Sequence, residues 1–153
     1  MSIEVLYGDN HCLAVNKPAG VPCQGDESGA ETLVDLAGRY LKWRYGKPGN
    51  VYVGLVHRLD RPTSGVVLLA RTSKAAGRLA AQFRDGAVEK VYWAIVEGVP
   101  REDEGAWTDR MEKDRRANRS RTLAESEEGG KAAHVAFRVL ERWRNAAKLE
   151  LRP

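Results

Sequence analysis

Short apolar stretches of strand length alternate along the chain with two stretches in which apolar residues return every three or four positions. Ile3 to Tyr7 alternates and reads as a strand, and Gly8-Asp9-Asn10 marks a turn after it. Cys12 to Val15 reads as a second strand, stopped by Lys17-Pro18-Ala19-Gly20. Gly25 to Gly29 is a polar loop. From Thr32 to Tyr45, Leu33, Leu36, Ala37, Tyr40 and Leu41 fall on one helical face. Thr32 can cap this helix, and Asp35 three residues later completes a capping box. Gly46 to Asn50, with Pro48, ends it.

Val51 to Leu59 leads into a turn at Arg61-Pro62-Thr63-Ser64-Gly65. Val66 to Ala70 is a continuous apolar run, which predicts a strand buried on both faces. Ser73 is expected to cap a second helix running to Asp85, with Ala76, Leu79, Ala80 and Phe83 inward and Gly86 at its end. Val88 to Glu97 alternates again. The polar stretch Arg101 to Glu128 predicts a long loop with an edge strand near Arg119 to Leu123. Gly129-Gly130 reads as a hairpin turn, followed by strands at Ala132 to Leu140 and Ala147 to Leu151. Strands outnumber helices and follow one another by short turns. The expected fold is therefore α+β, with a mixed, largely antiparallel sheet and a few helices.

The length, 153 residues, suits a single domain over residues 1–153. Lys plus Arg is 25 and Asp plus Glu is 21, a modest excess that permits a polyanionic partner without demanding one. Cys12 and Cys23 are too few for a disulfide framework and have no metal-ligand spacing, so two reduced thiols and no metal are expected. The N-terminal sequence has no basic segment followed by a long apolar run, and no window reaches the length of a membrane span. The cytoplasm is the expected location, and the oligomeric state is left open.

The segment richest in chemistry is His57-Arg58-Leu59-Asp60-Arg61-Pro62-Thr63-Ser64-Gly65. It sets a carboxylate among two guanidiniums and an imidazole in a turn, just before the most apolar strand of the chain. Such a turn is a rigid platform for loop residues, and neighbouring cations favour the carboxylate form that a nucleophile or base needs. An Asx-type turn with Arg58 and Arg61 in solvent explains the same residues equally well. The protein-kinase His-Arg-Asp loop is a lookalike only. Leu59 separates Arg58 from Asp60, the downstream Asn is absent, and no Gly-rich phosphate loop precedes it.

This run resembles the signature motif of the RluA-like RNA pseudouridine synthases, with Asp60 at the family's catalytic aspartate. Asn16-Lys17-Pro18-Ala19-Gly20 is similar to the family's upstream Lys-Pro-x-Gly motif. Lys90-Val91-Tyr92-Trp93-Ala94 with Val96-Glu97-Gly98 is similar to its Lys-x-Tyr-x-Ala…Gly motif, and Gly130-Lys131-Ala132-Ala133 to a later hairpin. The motifs occur in the family's order across nearly the whole chain. The resemblance implies the pseudouridine synthase fold and isomerisation of uridine in structured RNA, rRNA or tRNA, without cofactor or metal. It implies that Arg58 fills the gap left by an extruded base and that Tyr92 packs against the uracil. Lys17 and Lys90 stand in the family's motifs as substrate-binding residues, although the residues alone allow Lys17 as a plain turn lysine. His57 is expected to be structural rather than catalytic, and the four tryptophans to be packing residues. In an RNA enzyme the cluster Arg110, Lys113, Arg115, Arg116, Arg119 and Arg121 is the best candidate for phosphate contacts, though a solvated loop is its usual meaning.

The family continues beyond the final strand into a Thr-Gly-Arg-x-His-Gln-(Ile/Leu)-Arg motif whose Arg partners the aspartate. The sequence ends at Leu149-Glu150-Leu151-Arg152-Pro153, before any such motif. The expectation is a catalytic domain incomplete at its C-terminus, with no S4 domain. The alternative is an inactive RNA-binding relative. An unpaired edge along Leu149 to Leu151 and marginal stability are expected with it.

Overall fold

The computed structural model describes residues 3–25, 29–114, 119–124 and 127–153. The chain divides into two compact units, Met1–Val88 and Glu89–Pro153. The elements of the first are β1 (Glu4–Gly8), β2 (Cys12–Lys17), α1 (Leu33–Tyr45), β3 (Gly54–Leu55), β4 (Gly65–Ala70) and α2 (Ser73–Arg84). Those of the second are β5 (Tyr92–Glu97), β6 (Glu104–Asp114), β7 (Arg119–Thr122), β8 (Lys131–Arg142) and β9 (Ala146–Arg152). No helix among the described residues is long and apolar enough to cross a membrane.

The first unit is a four-stranded sheet in the order β1-β2-β4-β3, with every pairing antiparallel. Its core joins Leu13 and Val15 of β2 and Val67 and Leu69 of β4 to Leu33, Leu36, Ala37 and Leu41 of α1. The α1 stripe is therefore the buried face that the sequence predicts, with Tyr40 partly buried against the same cluster. Thr32 caps α1 as expected. Its Oγ1 accepts from Asp35 N–H at 3.1 Å, and an Asp35 carboxylate oxygen accepts from Thr32 N–H at 3.0 Å. The Thr32 hydroxyl also holds the Asp35 carboxyl below the usual carboxylate range. Thr32→Ala is expected to cost about 1 kcal/mol of stability, read as a lower urea midpoint with an unchanged slope.

Three expectations differ from the structure in this unit. The cap of α2 is Thr72, whose Oγ1 accepts from Ala75 N–H at 3.1 Å; Ser73 is the first helical residue. The inward set on α2 is only half-buried. The β4 strand is not buried on both faces either: Val67, Leu69 and Ala70 are buried, but Val66 is 58% exposed. An antiparallel sheet can cover one face only, and the apolar run conceals this alternation.

The second unit is a five-stranded sheet in the order β5-β9-β8-β6-β7, again antiparallel throughout. The α+β reading holds, with two sheets in place of one mixed sheet. Leu149 to Leu151 is not an open edge: β9 lies between β5 and β8, and β5 is the edge. Much of the polar stretch expected to be a loop is the 11-residue strand β6, held between β8 and β7. Pairing on both sides overrides its poor strand propensity.

The expected edge strand is β7, but Gly129-Gly130 does not turn it into β8. β6 separates the two: Thr122 of β7 and Lys131 of β8 both pair with Met111 of β6, so the chain passes from one side of β6 to the other. Leu123 N–H donates to Arg110 O at 2.7 Å, and the Arg110 guanidinium donates to the carbonyls of Glu127 (2.8 Å) and Gly129, pinning the crossing. Gly130 has φ 72°, and a Cβ there would lie 2.6 Å from Leu123 Cδ1, so the crossing needs a glycine. The tryptophans expected to be packing residues differ in exposure. Trp107 stacks on Phe137 at 4.1 Å, whereas Trp43 is 78% and Trp93 68% exposed.

Candidate active site

Asp60 sits in the turn that feeds β4. Thr63 N–H donates to Asp60 O at 3.0 Å and closes the turn. Gly65 follows with φ 135°, a backbone state open to glycine at little cost. Gly65 is also the cross-strand partner of Lys17, so the register of β2 on β4 brings the Lys17-to-Gly20 turn beside the Asp60 turn.

Four contacts staple these turns. Gly20 N–H donates to Arg61 O at 2.7 Å, and Arg61 Nε donates back to Gly20 O at 3.0 Å. The Lys17 ammonium donates to Arg61 O at 3.2 Å, and also to Val21 O (2.8 Å) and Pro18 O (3.2 Å). The Cys23 thiol donates to Leu59 O at 3.3 Å. Cys12 and Cys23 are both free thiols. Residues about 40 positions apart in sequence therefore form one rigid support under Asp60.

Lys17 has no exposed surface. Its three protons go to three main-chain carbonyls, so it supports the turn from beneath; the substrate contact expected of it has no room here. Burial draws its pKa below the usual lysine value, while the Cys23 thiol and the Asp60 carboxylate act in the opposite direction. Asp60 is thus within electrostatic reach of a buried cation that composition did not single out. Asp60, Arg58 and Arg61 are exposed on the turn, where a large substrate can meet them. Among the described residues no hydrogen bond is made to the Asp60 carboxylate.

His57 is engaged within the fold. Its Nε2 accepts from Leu68 N–H at 2.9 Å, and its ring stacks on Phe83 with centroids 4.3 Å apart. No group of three or more His, Cys, Asp or Glu among the described residues could hold a metal ion.

In the second unit Tyr92 opens β5 opposite Leu151 and is half-buried, on the same side of the strand as Ala94 and Val96. Lys90 lies exposed just before that strand. The opposite side, Val91, Trp93 and Ile95, is exposed, and the Lys148 ammonium sits 4.1 Å from the Trp93 ring centre. Two of the expected phosphate-binding residues are already engaged within the chain. Arg121 pairs with Glu112 (3.0 Å) and Glu127 (2.7 Å), and Arg110 holds the β7–β8 crossing. Interspersed carboxylates and a strand crossing account for both. Lys113 is exposed. Arg119 belongs to β7, and Arg115 and Arg116 lie outside the described residues.

Residues 11–153 match the family model described as RNA pseudouridylate synthase. The chain is 34% identical, over 98% of its length, to the ribosomal large subunit pseudouridine synthase D of Zymomonas mobilis, covering 47% of that protein. It is 32% identical, over 97% of its length, to the ribosomal large subunit pseudouridine synthase C of Vibrio parahaemolyticus, covering 44%. Among solved structures, human RNA pseudouridylate synthase domain containing 4 superposes with a TM-score of 0.79 at 26% identity, over 98% of this chain and 58% of that one. The chain spans about half the length of the curated relatives it matches. The ordered motifs, the α+β fold and these likenesses agree: this chain belongs to the RluA-like RNA pseudouridine synthases.

Proposed function

We propose that the protein isomerises specific uridines in structured RNA to pseudouridine, with Asp60 as the catalytic residue and residues 1–153 serving as one catalytic domain. The observation that carries this reading is the stapled pair of turns, which presents an exposed aspartate on a fixed support beside a buried cation. Two of the relatives are named for the ribosomal large subunit, which favours rRNA over tRNA as the substrate. Cytoplasmic residence belongs to the same reading.

The reaction is a net isomerisation. The bond from N1 of uracil to C1′ of ribose breaks, the uracil turns within the site, and C5 bonds to C1′. The C5 proton leaves to solvent and N1 takes up a proton, so no oxidant or group donor is required. The target base must first leave its stack, at a cost of a few kcal/mol. Arg58, exposed beside Asp60, is assigned to the gap that base leaves. Tyr92 is assigned to the uracil face, with Lys90 and Lys113 as contacts to the RNA.

The test is tritium release from an unmodified large-subunit rRNA transcript labelled at uridine C5, using the full-length protein. Arg58→Ala and Tyr92→Ala are expected to lower kcat well beyond any loss of RNA affinity. Tyr92→Phe keeps the aromatic face and should bind normally. Small, equal effects from all three variants would return these residues to plain turn and strand roles. RNA binding without tritium release would replace the enzyme reading with a binding protein.

A further inference from the structure

The ladder between β3 and β4 is short: Gly54 pairs with Ala70 and Leu55 with Leu69, and there it ends. The next main-chain donor of β4 on that side, Leu68 N–H, is met by a side chain, with His57 Nε2 accepting at 2.9 Å. His57 lies two residues beyond Leu55 and three before Asp60, so its imidazole fixes the point where the chain leaves β3 and enters the Asp60 turn. Phe83 of α2 holds the ring from one face, with centroids 4.3 Å apart and planes inclined by 21°. An imidazole that accepts at Nε2 carries its proton on Nδ1 and is neutral.

We infer that His57 is the positioning residue of the Asp60 turn, a neutral imidazole that supplies the missing rung of the β3–β4 ladder and so holds Asp60 in place for the isomerisation. This inference rests on the function proposed above. Protonation at Nε2 would set a donor against a donor and release the rung. Burial lowers the His57 pKa from its ordinary value, and no charged group contributes to the shift. Of the elements packed on it, β3 and β4 carry no titratable side chain, and α2 carries Lys74, Arg78 and Arg84, all exposed. On its own segment Arg58 and Asp60 are exposed. Because the folded-state pKa is depressed, the contribution of His57 is full above about 6.5, the ordinary imidazole value. It is lost as the pH falls through the lower folded value, and turnover should fall over the same acid window.

Two variants separate the roles of the ring. His57→Phe keeps the stack on Phe83 and removes the acceptor, whereas His57→Gln places an oxygen near the position of Nε2 and does not titrate. With the full-length protein and the labelled large-subunit rRNA transcript as the probe, His57→Phe is expected to lose on the order of 10²-fold in kcat with little change in KM. His57→Gln should recover most of that rate and flatten the acid limb. Nitrogen-15 NMR of the wild-type protein without RNA should show the proton on Nδ1 and slow exchange of the Leu68 amide, and His57→Phe should speed that exchange. A proton on Nε2 at neutral pH, or wild-type kcat in folded His57→Phe, overturns the inference. If His57→Phe does not fold, the tautomer of the wild type and the rate of His57→Gln decide. If the wild type releases no tritium, the proposed function fails, while the NMR result still decides whether His57 completes the ladder.

Discussion

Asp60→Asn is expected to reduce pseudouridine formation to background while leaving RNA affinity largely intact. Asp60 is the one carboxylate in the turn from His57 to Gly65, and the isomerisation needs a nucleophile or base there. The amide is nearly isosteric, so the staples under the turn should survive. They run through the Arg61 carbonyl, the Arg61 guanidinium and the Leu59 carbonyl, and none uses the Asp60 side chain. Affinity for a polyanion comes from cations, and removing a negative charge does not weaken those contacts. Tritium release under single-turnover conditions, paired with filter binding of the same transcript, separates the two quantities. Measurable turnover by Asp60→Asn, in a preparation free of host synthase, would sink the assignment of Asp60. An equal loss of binding and turnover would instead mean that the turn had rearranged.

Local physics was legible where it decides structure alone. The α1 helix could be read to its ends, because the capping box, the apolar stripe and the glycine after Tyr45 are all written within 15 residues. The Asp60 turn was legible for the same reason. Non-local pairing was not legible. The β6 strand is rich in charge and becomes a strand because β7 and β8 flank it, which no window of its own residues can reveal. The link from β7 to β8 looked like a hairpin turn because glycine pairs usually make one; here the glycines serve a crossing over β6. Two expected phosphate contacts, Arg110 and Arg121, are spent inside the chain, and their partners Glu127 and Gly129 lie across that same crossing.

The burial of Lys17 has a signal in the sequence of β2. Leu13, Val15 and Lys17 alternate along β2, and this face is the buried one, at 1%, 0% and 0% exposure. Asn16, on the opposite face, reaches out to Glu4. Parity alone therefore put the ammonium inside. A lysine is almost never fully buried unless its charge is satisfied, and here three carbonyls satisfy it. Lys17→Met keeps the length and apolar stem of the side chain and removes only the donor. It takes this donor from the carbonyls of Pro18 and Val21, at roughly 1–3 kcal/mol for a carbonyl left unsatisfied, while Arg61 O keeps the Gly20 N–H. The relief of no longer burying an ammonium offsets part of this, so a net loss of about 2–4 kcal/mol is expected. For a domain with about 5–15 kcal/mol to lose, this is a large fraction, and it should appear as a lower urea midpoint. The effect on turnover should exceed the effect on folding. Even the folded fraction would lack the bond from Lys17 to Arg61 and the buried cation near Asp60. Gly20 and Arg61 still bond to each other in the variant, so the turn should loosen rather than detach. The expected result is therefore a folded, less stable protein with a reduced kcat at temperatures well below its melting point. A Lys17→Met protein as stable and as active as the wild type would show that an apolar isostere serves equally under the turn, and that Asp60 needs no cation from β2.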